Sequence, residues 1–287
     1  MGNEAMPKSK MLTVGRTMRE KSSKQKIAKF HRAVRAALRP LKNAERAAGM
    51  RAYMRDQFEY LGVSTPDHRA AVAPLIKGRL PADREELRLA AEGLWRMRER
   101  EYQYVAIGLL GRHHKALSLD DLPWLLDLVQ QKSWWDTVDS LVKVIGQIVR
   151  RAGAKGERAM DAAVKHDNFW VRRIAMLHQL GLRDEVDTVR LFRYAELLAA
   201  EKEFFIRKAI GWALRDYAWH DWRAIEKFLK SASGRLSGLT VREASKNFAA
   251  LSKRGAGGRP NGQYEKVRQP IKPQRPIRAM KRRVDLH

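Results

Sequence analysis

No cysteine occurs among the 287 residues, which excludes disulfides and thiolate metal sites and leaves the redox compartment open. No apolar run approaches the roughly 20 residues that a membrane span needs. Three patterns are missing as well: the phosphate-cradling G-x-x-x-x-G-K-[ST], a G-x-G-x-x-G following a strand, and the zinc motif H-E-x-x-H. His113 and His114 stand side by side at a helix end, and adjacent positions cannot share a helical face to hold a metal. Neither a nucleotide nor a metal nor any other cofactor is therefore expected. The start Met1-Gly2-Asn3 fails the myristoylation pattern, because position 6 is Met where Ser or Thr is required. The acid-poor first thirty residues fit a transit peptide or a plain basic arm.

Acidic residues are scarce throughout. Lys and Arg number 58 against 32 acids, a formal charge of +26. Residues 1–30 hold 8 cations and 2 acids, and residues 253–287 hold 11 and 2. That leaves +11 on residues 31–252, so the excess is not confined to the ends. A folded body this basic collects polyanions through phosphate contacts and counterion release. Charge alone does not separate DNA from RNA or from an anionic membrane.

Gly, Pro and cations with little apolar content mark 253–287 as a disordered basic tail, and 1–23 as a similar arm. Residues 24–252 carry helical apolar spacing almost without interruption, and no stretch shows the alternation of a half-buried strand. The fold class is all-α. Helices are predicted near 24–39, 43–61, 66–78, 83–97, 101–113, 119–130, 134–151, 156–166, 168–181, 186–199, 203–217, 220–231 and 240–252. An aromatic residue opens a recurring amphipathic helix at Tyr104, Trp135, Trp170 and Phe205, at spacings of 31, 35 and 35. A period in the thirties with two helices per unit predicts a superhelix of HEAT-like repeats, a solenoid. Its concave face, if basic, would suit a duplex.

Three constellations could carry chemistry. In Ser133-Trp134-Trp135-Asp136-Thr137-Val138-Asp139, Ser133 and Asp136 have capping-box spacing. Trp135 and Asp139 share a face, and Trp134 pairs with Val138 toward the core. Asp139 also lies near the helix start, where the dipole favours an anion. Two readings stand here: packed tryptophans with a solvated acid, or an anion set beside an aromatic in a cationic body. From Phe205 to Arg215, the residues Lys208, Gly211, Trp212 and Arg215 cluster on one face, suited either to a phosphate backbone or to packing between repeats. Gly211 inside a helix costs roughly 1 kcal/mol and implies a close approach. In Asp167-Asn168-Phe169-Trp170-Val171-Arg172-Arg173-Ile174, Asn168 caps the helix. Arg172 and Arg173 flank its apolar stripe, solvated or reaching phosphates.

Taken together, these stretches resemble the DNA alkylation repair glycosylases built of HEAT-like repeats, the AlkD family. The resemblance covers roughly residues 43–250. It rests also on Ala52-Tyr53-Met54 with Phe58 to Val63, on Arg98 to Tyr104 and on Lys202 to Tyr217. It implies excision of cationic N3- or N7-alkylpurines from double-stranded DNA without flipping the lesion into a deep pocket. It also implies Asp139 as the catalytic carboxylate, Trp135 and Trp212 against the lesion's deoxyribose and backbone, Tyr53 nearby and Arg173 on a phosphate. Arg172, Lys208 and Arg215 are added as DNA-binding candidates from their helical faces. A monomer is expected, with no membrane partner and a cytoplasmic location, nucleoid-associated if the source is bacterial. The alternative is a non-catalytic HEAT-repeat DNA-binding protein.

Overall fold

A computed structural model describes residues 8–78 and 83–253, with side chains from Lys21 onward. Among these residues the protein is helical, and no strand longer than the single Glu59–Glu99 bridge occurs. The chain runs α1 (Lys8–Leu38), α2 (Ala44–Tyr53), α3 (Thr65–Lys77), α4 (Arg84–Arg96) and α5 (Arg100–Arg112). It continues through α6 (Leu122–Gln130), α7 (Trp135–Ala152), α8 (Ala154–Ala163), α9 (Phe169–Leu177) and α10 (Thr188–Leu197). The last helices are α11 (Phe204–Ser231), α12 (Gly238–Ala244) and α13 (Phe248–Ser252).

Pairing gives the architecture. α4 packs on α5, α6 on α7, α8 on α9 and α10 on α11, and the second helix of each pair also touches the next second helix. α5, α7, α9, α11 and α12 thus form one continuous row, the superhelix of HEAT-like repeats expected from the periodicity. No pair can bury its apolar face alone, and accordingly a single apolar core runs from Ile27 to Leu251. α2 packs separately: Ala47, Met54 and Tyr60 form a small cluster over which Tyr104, Trp134 and Trp135 close.

Several boundaries differ from the periodicity. The helix expected from residue 24 begins at Lys8, so residues 8–23 continue α1 where the composition suggested an arm. Residues 1–7 and the tail from 254 lie outside the described residues. The helix expected over 43–61 stops at Tyr53, because Arg55 and Asp56 both turn to φ 55°. Beyond them the chain is tied down by Glu101, which accepts from Leu61 N–H (2.9 Å), Gly62 N–H (2.8 Å) and Val63 N–H (3.2 Å). The capping box at Ser133 and Asp136 does not form. Trp134 is the N-cap residue with no side-chain cap, and the Ser133 hydroxyl instead donates to Val129 O at 2.7 Å. Asn168 does cap α9, accepting from Trp170 N–H. The helices expected over 203–217 and 220–231 join in α11 across Asp221, whose φ of −139° and ψ of 88° break the helix and whose carboxylate caps Ala224 N–H.

The row of second helices depends on close approaches. At Gly146 in α7 a Cβ would lie 2.5 Å from the carbonyl oxygen of His178, just past α9. Gly146→Ala gains helix propensity of about 1 kcal/mol, but it forces backbone apart in a packed joint, which typically costs about 1–3 kcal/mol. A net loss of stability is expected, read as a lower urea midpoint at unchanged slope; a rise would show that the joint yields freely.

Candidate functional site

The first half of the site begins on α7. Trp135 opens the helix and Asp139 follows one turn later, so both face the same way. Tyr53, at the end of α2 and 41% exposed, meets Trp135 edge-on with ring centroids 6.0 Å apart. α9 then supplies Arg173. Its Nε donates to Asp139 Oδ1 at 2.7 Å and its Nη2 to Oδ2 at 2.8 Å, the two-pronged geometry that planar guanidinium and carboxylate share. A third donor, Nη1, reaches Phe205 O at the start of α11. The guanidinium carbon lies 6.0 Å from the Trp212 ring. Tyr53 with Trp135, and Asp139 with Arg173 and Trp212, thus form two sets of contacts across α2, α7, α9 and α11, joined by the shared α7 face of Trp135 and Asp139.

Side-chain exposure is 5% for Arg173 and 10% for Asp139. Arg173 was expected on a phosphate; here it is buried, and its forked edge is taken up by Asp139. Asp139 lies beyond the first turn of α7, where the helix dipole has faded, so the arginine is the group that balances its charge. Every other candidate cation is also held. Arg172 pairs with Glu201 (2.7 Å) and donates to the carbonyls of His166 and Asp167. Lys208 bonds Glu243 at 2.7 Å, and Arg215 bonds the same carboxylate. Gly211 explains itself: a Cβ there would fall 2.5 Å from Glu243 Cβ and 2.9 Å from Thr240 O, so it is the seat that lets α12 approach α11.

Behind these contacts lies a second buried pair that the sequence reading missed. Arg100 of α5, fully buried, donates to Asp136 through Nε (2.9 Å) and Nη2 (2.6 Å), to Thr137 Oγ1 (2.9 Å) and to Lys132 O (2.7 Å). The Tyr104 hydroxyl donates to Asp136 at 2.7 Å and lies 3.3 Å from the Tyr60 hydroxyl. Burial, then the nearby Asp136 charge, pushes Tyr104 well above the ordinary tyrosine range, which keeps it a donor. This network clamps the start of α7 and so aims Trp135 and Asp139. A signal for both pairs existed in the sequence, since Arg100 and Asp136 are 36 residues apart and Asp139 and Arg173 are 34 apart, each about one repeat. Trp134, placed toward the core by its spacing, packs with Trp170 and Phe205 at centroid distances of 6.1 and 5.3 Å.

Among the described residues no cluster of three or more potential metal ligands occurs, and no helix is long and apolar enough to cross a membrane.

Sequence comparison supplies the context for this geometry. The family model for the DNA alkylation repair enzyme matches residues 34–248. The chain belongs to the DNA alkylation repair enzyme family. Among solved structures it is similar to a predicted DNA alkylation repair enzyme from Enterococcus faecalis, at 35% identity and a TM-score of 0.68. That match covers 72% of this chain and 97% of the other. Among curated proteins nothing matches. Membership of the family makes alkylation repair the role and DNA the partner, and the matched span takes in every site residue named above.

Removing one partner of a buried pair strands a charge and typically costs about 3–5 kcal/mol. Asp136→Ala leaves Arg100 in that state. Urea denaturation should lose about that much stability, whereas Arg98→Ala, on a solvent-facing pair with Glu59 at 3.7 Å, should lose well under 1 kcal/mol. Equal small losses would show that the clamp contributes little.

Proposed function

We propose that the protein is a monofunctional, monomeric DNA glycosylase that hydrolyses the N-glycosidic bond of cationic N3- or N7-alkylated purines in duplex DNA, without flipping the lesion into a deep pocket. The observation that carries this reading is a carboxylate, Asp139, fixed by Arg173 in a line of aromatic rings that runs from Tyr53 and Trp135 to Trp212.

The chemistry asks little of a protein acid. An alkylated purine already bears positive charge and leaves with the electrons of its bond to the sugar, while positive charge develops on the deoxyribose. Water then forms the new bond to the sugar carbon, and its proton passes to Asp139 or to solvent. At an effective dielectric near 20, a carboxylate about 4 Å from the developing cation stabilises it by about 4 kcal/mol. The guanidinium of Arg173, roughly 7 Å away, returns about 2.4 kcal/mol of that, so the intact pair contributes on the order of 2 kcal/mol, some twenty- to thirtyfold in rate. A tryptophan face adds about 0.5–2 kcal/mol for a cation. Trp135 and Trp212 on the sugar and Tyr53 beside the lesion would thus align and assist, with Asp139 the larger single contribution. Lys208 and Arg215 flank Trp212 on α11 and supply positive charge for the backbone, whereas Arg172 is already matched by Glu201.

The test is release of free base from duplex DNA carrying N7-methylguanine. Asp139→Asn removes the carboxylate charge and leaves the guanidinium, so the whole 4 kcal/mol is lost, and release should fall about a thousandfold. Absence of release by the wild type, with tight salt-sensitive binding to the same duplex, would instead make this a non-catalytic DNA-binding protein.

A further inference from the structure

At the α11–α12 joint one carboxylate collects three cations. Glu243, its side chain 5% exposed, accepts from Lys208 Nζ at 2.7 Å, from Arg215 Nη1, and from Lys246 Nζ at 2.7 Å on both oxygens. Arg215 Nη1 also reaches the Glu243 backbone carbonyl at 3.1 Å. Gly211 is what lets Glu243 sit this deep against α11. Burial favours the neutral acid, but the bonds from Lys208, Lys246 and Arg215 outweigh it and hold Glu243 at about 2, so it is an anion at any working pH.

The balance of charge sets this cluster apart from the rest of the row. Asp136 answers Arg100 and Asp139 answers Arg173, one for one. Around Glu243, three cations bond one carboxylate, which leaves the cluster net positive. Asp216, next to Arg215 in sequence, accepts from Gly181 N–H at 2.8 Å and offsets part of the Arg215 charge through space without bonding to the cluster. The cations reach solvent at their outer edge, with side-chain exposures of 20% for Lys208, 22% for Arg215 and 50% for Lys246. Each ammonium has three donors and Lys208 uses one, so two remain unused. Lys208 and Arg215 stand one turn to either side of Trp212 on the same helix.

We propose that Lys208, Arg215 and Lys246, fanned around Glu243, form a binding site for one phosphate of the DNA backbone, with Glu243 as its positioning residue. The inference rests on the DNA-binding part of the proposed function and not on base release. An oxyanion with several acceptors matches the open donors, and the buried carboxylate relieves the mutual repulsion of three cations, which would otherwise splay apart. Pre-ordering of the long side chains lowers the entropy lost when the phosphate arrives.

The experiment measures the affinity of the full chain for undamaged duplex as a function of salt. Each phosphate contact contributes about 0.9 to the slope of log K against log salt. Lys208→Gln and Lys246→Gln should each lower that slope by up to this amount, and the double variant by no more than about 0.9 in all, while Lys208→Arg keeps it. Lys155→Gln, exposed on α8 away from the row of second helices, should also leave it unchanged. Melting temperatures taken alongside separate a packing role: variants that lose stability but keep the wild-type slope overturn the site. Stabilisation of the wild type by orthophosphate at constant ionic strength, with slopes unaffected by the variants, would assign the cluster to a free anion and overturn the DNA site. A wild type with no affinity for duplex would overturn the inference and the proposed function together.

Discussion

Buried pairing of an arginine with a carboxylate one repeat away is the constraint on which the rest of this molecule depends. Interdigitated apolar side chains and the close approaches at Gly146 and Gly211 already limit sliding of one repeat on the next. A two-pronged ion pair adds a directional constraint. Arg100 with Asp136 and Arg173 with Asp139 each fix the height of one second helix against its neighbour to within a hydrogen bond. The cost of desolvating such charges is large, so little net stability follows from them. What they supply is register, and the site needs register, because its parts come from α2, α7, α9 and α11 and no loop holds them.

This pairing divides the cations around the site into two kinds. Arg100, Arg172 and Arg173 are matched by carboxylates or carbonyls and act as parts of the scaffold. Around Glu243 the matching is incomplete, and the surplus lies beside Trp212. A line of aromatic rings with a neutral ion pair at its middle and a net positive cluster at one end is a reasonable surface for a charged purine and its backbone. In the proposed reaction the carboxylate would meet the cationic sugar and base, and the cluster the phosphates.

Much of this was legible in the sequence. The period of the opening aromatics set the superhelix, Asn168 marked the start of α9, and Gly211 signalled a close approach that Glu243 and Thr240 now explain. Spacing on one helix also placed Trp135 with Asp139, since three- and four-residue neighbours are fixed by helix geometry alone. What stayed hidden was set between helices. The pattern at Ser133 and Asp136 looked like a capping box because local spacing satisfies one, yet Asp136 is drawn to a buried arginine 36 residues back. The helix over 43–61 looked continuous in its apolar spacing, but Glu101 captures three consecutive backbone N–H groups and holds the segment extended. Arg173 looked like a solvent-edge cation because its own helix places it beside the apolar stripe, and only the stacking of α7 shows the acid that claims it.

In the proposed reaction Asp139 acts through its charge, and the geometry gives Arg173 the part of holding that charge. The most direct measurement compares single-turnover base release by Asp139→Asn with release by Asp139→Asn/Arg173→Gln. The double variant should be the faster of the two, because removing the stranded guanidinium removes a repulsion on the developing cation. A double variant slower than Asp139→Asn would contradict this and return Arg173 to the role of a direct DNA contact.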